Sequence, residues 1–84
     1  MDKETFIEQL REIVRPYAKN QEALATIDLS TDFIKDLKIN SANLVDVILD
    51  VEEKYDIVIQ NEEMERMLDV QAAFDIVQTK LSEK

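Results

Sequence analysis

Ser41-Ala42-Asn43-Leu44-Val45-Asp46-Val47-Ile48-Leu49-Asp50-Val51-Glu52-Glu53-Lys54-Tyr55 is the stretch on which the fold of this chain turns. At 100° per residue, Leu44, Val47, Ile48, Val51 and Tyr55 fall in one arc of roughly 100°, the apolar stripe of a core-facing helix. Asn43, Asp46, Asp50 and Glu53 gather in a separate arc of roughly 80°, a polar and mostly acidic stripe. Val45 and Leu49 sit at i and i+4, outside the core arc and flanked by carboxylates. Two readings stand for this pair: a helix buried over a wider arc than usual, or exposed apolar residues kept for a partner. An apolar pair between acids would suit docking, with contacts supplying affinity and charges steering the encounter.

Outward from this segment, three more helices are expected. Phe6, Leu10, Ile13, Val14 and Tyr17 recur at helical spacing, with Asp2 as N-cap and Pro16 marking the end. A short helix is expected from Asn61, whose side chain can cap while Glu62 and Glu63 meet the positive helix end. A last helix runs from Asp69 as cap through Val70, Ala73, Phe74, Val77 and Leu81. Residues 18–40 form a long connection for a helical bundle. Its Leu24, Ile27, Leu29, Phe33, Leu37 and Ile39 imply a loop pinned onto the core, with one helical turn at 32–37. Asp56-Ile57-Val58-Ile59 is strand-like locally but has nothing to pair with, so it reads as an extended connector. The expected fold is all-α: a small four-helix bundle of three longer helices and one short one, forming a single domain over residues 1–84.

Composition bounds the function. A chain of 84 residues buries only about 60–65% of its unfolded surface, so stability should be modest. Hydrophobic residues at 45% and charged residues at 35% match a soluble globular protein rather than a disordered one. No apolar run could span a membrane. The N-terminus lacks a signal-peptide pattern, and a cytoplasmic protein is expected. There is no Cys, no His and no Gly. This removes thiol nucleophiles, imidazole bases, the usual transition-metal ligands and Gly-rich phosphate loops. An enzyme is therefore not expected, no metal is expected, and any reactive thiol must arrive on a prosthetic group. The net charge of −9 would repel nucleic acid and anionic membranes, leaving basic protein surfaces as partners. An acidic shell kept only for solubility explains the charge equally well.

By position alone Ser41 is a helix N-cap, a role for which Ser ranks among the best residues. Nothing local supplies a base for it, and neither Asp36 nor Asp46 replaces a His-based relay. If Ser41 does chemistry, another protein performs it. Asp28-x-Ser30-x-Asp32 starts like a calcium loop, but Phe33 and Ile39 stand where Gly and a bidentate Glu are needed. Carboxylates on several helices do not make a di-iron bundle without any His. The methionines Met1, Met64 and Met67 read as core filler.

Phe33-Ile34-Lys35-Asp36-Leu37, then Ser41, Val45-Asp46, Val51-Glu52-Glu53-Lys54-Tyr55-Asp56, Ile59, Glu62-Glu63 and Val70-Gln71-Ala72-Ala73-x-Asp75 form an ordered, gapless set. With it the chain resembles the acyl carrier protein family over more than half of its length. The resemblance implies that a phosphopantetheinyl transferase with bound Mg²⁺ attaches 4′-phosphopantetheine from coenzyme A to Ser41. The arm's thiol would then carry acyl groups as thioesters between enzymes of fatty-acid, polyketide or related biosynthesis, which answers the missing cysteine. It further implies that Asp36, Val45, Asp46, Leu49, Asp50, Glu52 and Glu53 meet acyl-handling enzymes through basic docking surfaces, and that the aliphatic interior can shelter the cargo. A monomer is expected.

The departures are local. The family usually reads Asp-Ser-Leu at the modification site, where this chain reads Asn40-Ser41-Ala42, and Asn43 replaces a frequent acid. Two negative charges beside the serine are lost while the distal acids stay. Lys38 and Ile39 replace a small, Gly-containing turn, which should stiffen the entry to the helix. A specialised carrier with a dedicated pathway is the inference. Two alternatives to an acyl carrier remain, an aminoacyl carrier and an unmodified acidic interaction module with the carrier fold.

Overall fold

The computed structural model describes residues 2–83. Five helices follow one another: α1 (Lys3–Val14), α2 (Gln21–Ala25), α3 (Ser41–Tyr55), α4 (Asn61–Arg66) and α5 (Val70–Ser82). The long helices α1, α3 and α5 with the short α4 make up the expected all-α bundle. The connection before α3 carries one helix more than expected. α2 is only five residues long, too short to show a periodic stripe, and it buries Leu24 alone. The Asn20 side chain caps it, accepting the Ala23 N–H at 3.4 Å. The Arg11 guanidinium Nε donates to the Leu24 carbonyl at 2.7 Å and ties the end of α2 to α1.

α1 begins where Asp2 accepts the Thr5 N–H and hydroxyl, and it ends before Pro16. Its Phe6 lies with its ring centroid 5.9 Å from Tyr55 of α3 and 5.4 Å from Phe74 of α5, an edge-on contact in the second case. Such ring pairs add to the burial of apolar area itself. Phe6, Leu10, Phe33, Leu37, Val47, Val51, Met67, Val70 and Val77 are wholly buried within one apolar cluster. Met67 and the half-buried Met64 thus serve as core filler, whereas Met1 lies outside the described residues.

The loop ahead of α3 is pinned, as its apolar content implies. Ile27, Phe33, Leu37 and Ile39 are buried. The turn at 32–37 closes when Asp36 and Leu37 donate their N–H groups to the Asp32 carbonyl at 3.1 and 3.2 Å. Its backbone also reaches across the molecule. Phe33 N–H donates to the Leu68 carbonyl and Val70 N–H to the Thr31 carbonyl, both at 3.0 Å, forming a single antiparallel bridge at Asp32 and Asp69.

After α3 the chain reverses at Asp56, whose φ of 54° is left-handed, and Ile57 N–H returns to the Glu52 carbonyl at 3.0 Å. The connector then inserts Ile57 and Ile59 into the core and leaves Val58 exposed. α4 is capped one residue earlier than expected. The Glu63 carboxylate reaches back to the Gln60 N–H at 2.9 Å, which makes Gln60 the cap and Asn61 the first helical residue. The same Glu63 oxygen meets Lys80 Nζ of α5 at 2.9 Å. Hydrogen bonding to Gln60, followed by Lys80, holds the Glu63 carboxyl below the usual glutamate range. Asp69 caps α5 as expected, accepting the Ala72 N–H at 2.8 Å. Among the described residues no helix is long and apolar enough to cross a membrane.

Candidate functional site: Ser41 and the exposed side of α3

Helix α3 spans the residues its periodicity predicts, but Ser41 is not its cap. Asn40, in extended backbone with φ −62° and ψ 140°, caps α3 by accepting the Ala42 N–H on its side-chain oxygen at 2.8 Å. Asn and Ser rank equally as caps, so residue type alone does not separate two adjacent candidates. With the cap supplied by its neighbour, Ser41 is the first helical residue. It is exposed, and its hydroxyl makes no hydrogen bond among the described residues.

The surroundings suit a phosphoester at that oxygen. The first turn of α3 contains no acid, and the unpaired N–H groups there carry the positive end of the helix dipole. An anion bonded to Ser41 would meet that field favourably. Among the described residues no carboxylate hydrogen-bonds the Ser41 hydroxyl. Asp36 is turned to the Asp32 N–H at 2.8 Å, which holds the preceding loop.

The approach to α3 is rigid. Ile39 is buried and donates its N–H to the Phe33 carbonyl at 3.1 Å. Asn20 fastens the other side, its backbone N–H to the Leu37 carbonyl at 3.1 Å and its side-chain amide to the Asp36 carbonyl at 3.0 Å. Lys38 between them has φ 59°. The turn thus keeps the left-handed conformation natural to glycine, with a lysine bearing the steric cost.

The seven expected contact residues divide in two. Val45 and Leu49 are 48% and 50% exposed, which decides between their two readings in favour of exposure. Asp46 and Glu53 are exposed beside them, and the four share an arc of roughly 100° on α3. The other three are engaged internally. Asp50 accepts the Tyr17 hydroxyl at 3.2 Å, and partial burial followed by that bond raises the pKa of Tyr17. Glu52 accepts the Ile59 N–H at 2.7 Å and so braces the connector, while Asp36 braces its loop as described. In the Asp28-x-Ser30-x-Asp32 stretch, one Asp28 side-chain oxygen accepts the Ser30 N–H and the Ser30 and Thr31 hydroxyls. No group of three potential metal ligands gathers among the described residues. Two exposed apolar residues that sequence reasoning does not single out are Ile34 and Leu68.

No family model matches the chain. Curated proteins do. An acyl carrier protein of Rubrobacter xylanophilus is 32% identical over 77 residues, covering 92% of this chain and 93% of that protein. The acyl carrier protein of Petrotoga mobilis is 30% identical over 82 residues, covering 98% and 94%. That of Coprothermobacter proteolyticus is 26% identical over 84 residues and aligns over the full length of both chains.

Proposed function

We propose, from the premise that the chain belongs to the acyl carrier protein family, that it carries acyl intermediates on a 4′-phosphopantetheine arm esterified to Ser41. A family of carriers rather than catalysts agrees with a chain that has no His and no Cys. The observation that carries the proposal is the division of labour at the start of α3, where Asn40 caps the helix and Ser41 stays exposed. The arm, when bound, supplies the thiol on which acyl groups travel as thioesters. The chain's own residues do the rest. The N-terminal N–H groups of α3 and its acid-free first turn would hold the phosphodiester. The buried Ile39 and the Asn20 bonds keep the attachment point from moving with the cargo.

Partner enzymes are proposed to dock along Val45, Asp46, Leu49 and Glu53. The apolar pair would supply contact and the carboxylates would steer basic surfaces toward Ser41. Asp36, Asp50 and Glu52 are assigned a bracing role in addition, since each already holds an internal bond. A phosphopantetheinyl transferase is the first of these partners, and the cytoplasm is the proposed location. The test is intact-mass measurement after incubation with coenzyme A, Mg²⁺ and several transferases. A single phosphopantetheine mass gain, absent in Ser41→Ala, is expected. No gain with any transferase would favour an unmodified acidic adaptor instead.

A further inference from the structure

α4 is attached to the rest of the molecule differently from the long helices. α1, α3 and α5 each bury three or four side chains, whereas α4 buries none completely. The sequence of α4, Asn61-Glu62-Glu63-Met64-Glu65-Arg66, holds one apolar residue, Met64. Its side chain is half-buried and packs against the core cluster. Among the described residues the one ion pair from α4 to another helix is that of Glu63 with Lys80. The hydrophobic attachment of this helix therefore falls on a single thioether side chain.

The position of Met64 within the helix shows the same dependence. Gln60 is the cap, so Ile59 and Met64 occupy the N′ and N4 positions, the two places of a hydrophobic staple that fixes how a chain enters a helix. Ile59 before the helix and Met67 after it are buried. Met64 lies between these anchors, and its carbonyl accepts the Met67 N–H at 3.1 Å. Solvent reaches the seam between α4 and α5, where an open cleft is lined by Glu63, Arg66, Ala72, Asp75, Ile76 and Thr79. The two methionines thus differ in access, since Met67 is wholly buried and Met64 is not.

We infer that Met64 is an oxidation site at which hydrogen peroxide unlatches α4 from the core. The inference is independent of the carrier reading of Ser41. The Met64 sulfur takes one oxygen from the peroxide as the O–O bond breaks and water leaves. The thioether loses two electrons to the peroxide and becomes a sulfoxide. That group is polar, and packing it against the core without a hydrogen-bond partner is unfavourable. The helix has no second apolar side chain with which to stay in place. Ile59 and Met67 remain buried on either side, so the opening is confined to residues 61–66. A sulfoxide reductase returns the thioether and closes the latch.

The test treats the full-length chain with hydrogen peroxide and locates each added oxygen by peptide mass. Met64 should be oxidised before Met67. Chains carrying the Met64 sulfoxide should melt about 5 °C below untreated chains. Their amide hydrogen exchange over residues 61–66 should be about tenfold faster. Treatment with a methionine sulfoxide reductase should restore both values. Met64→Leu keeps an apolar side chain of similar volume and retains Met1 and Met67, so peroxide should leave its melting temperature unchanged. Oxidation of Met67 ahead of Met64, or a Met64 sulfoxide that melts with the untreated chain, would overturn the inference. An equal loss in peroxide-treated Met64→Leu would overturn it as well.

Discussion

The side-chain oxygen of Asn40 accepts the Ala42 N–H at 2.8 Å, and this bond spans Ser41 without engaging it. Stability and chemistry at the start of α3 are thereby assigned to different residues. Asn40→Ala should lower the unfolding free energy by about 1 kcal/mol, the usual cost of losing a side-chain cap. Ser41→Ala should change it by no more than about 0.5 kcal/mol, as for other exposed sites. Denaturant unfolding of both variants checks this. Equal losses would mean that Ser41 shares the capping.

Leu44 and Leu49 give a second internal contrast, two leucines on one helix that are 7% and 50% exposed. Leu44→Ala should cost about 2–4 kcal/mol through lost burial and the cavity left behind. Leu49→Ala should leave stability within about 0.5 kcal/mol while weakening docking to a partner enzyme. A large stability loss in Leu49→Ala would place that side chain in the core and remove it from the docking surface.

Lys38, at φ 59°, holds a conformation that disfavours every side chain with a Cβ. Lys38→Gly should raise stability by about 0.5–1 kcal/mol, the relief of left-handed strain less the added freedom of the unfolded chain. Denaturant unfolding of Lys38→Gly beside the wild type measures the difference. Destabilisation by Lys38→Gly would show that the lysine stem packs favourably enough to outweigh the strain.

Glu63 links the cap of α4 to Lys80 of α5, and its pKa is lowered in the folded state. A depressed carboxyl contributes stability above its unfolded pKa and loses it as pH falls through the folded value. Glu63→Gln should therefore be less stable than the wild type at neutral pH, with the gap closing on acidification. Comparing the two chains cancels the general relief of self-repulsion that protonation brings to so acidic a protein. A gap independent of pH would contradict the assigned ion pair.

Much of the fold is legible in residue order because the informative positions are apolar and periodic. Leu44, Val47, Ile48 and Val51 identify α3 and its buried face, and Phe6, Leu10 and Val14 do the same for α1. Ile57 and Ile59 mark a connector that alternates in and out of the core. What stays hidden is decided by single hydrogen bonds. α2 is too short for a pattern, and its main signal is Asn20, one cap-forming residue among several. The caps of α3 and α4 each fall one residue before the expected one, fixed by the Asn40 side chain accepting the Ala42 N–H and by the Gln60 N–H donating to Glu63. At the site, Ser41 and the pair Val45 and Leu49 are readable from pattern and resemblance. The internal duties of Asp36, Asp50 and Glu52 depend on Asp32, Tyr17 and Ile59, contacts that residue types do not reveal.

The carrier reading is tested most directly on the protein purified from its own cells, by intact mass followed by fragmentation of the peptide that contains Ser41. The account predicts one phosphopantetheine group per chain, esterified to the Ser41 oxygen. A natural protein with an unmodified Ser41, or with the arm on another residue, would contradict it.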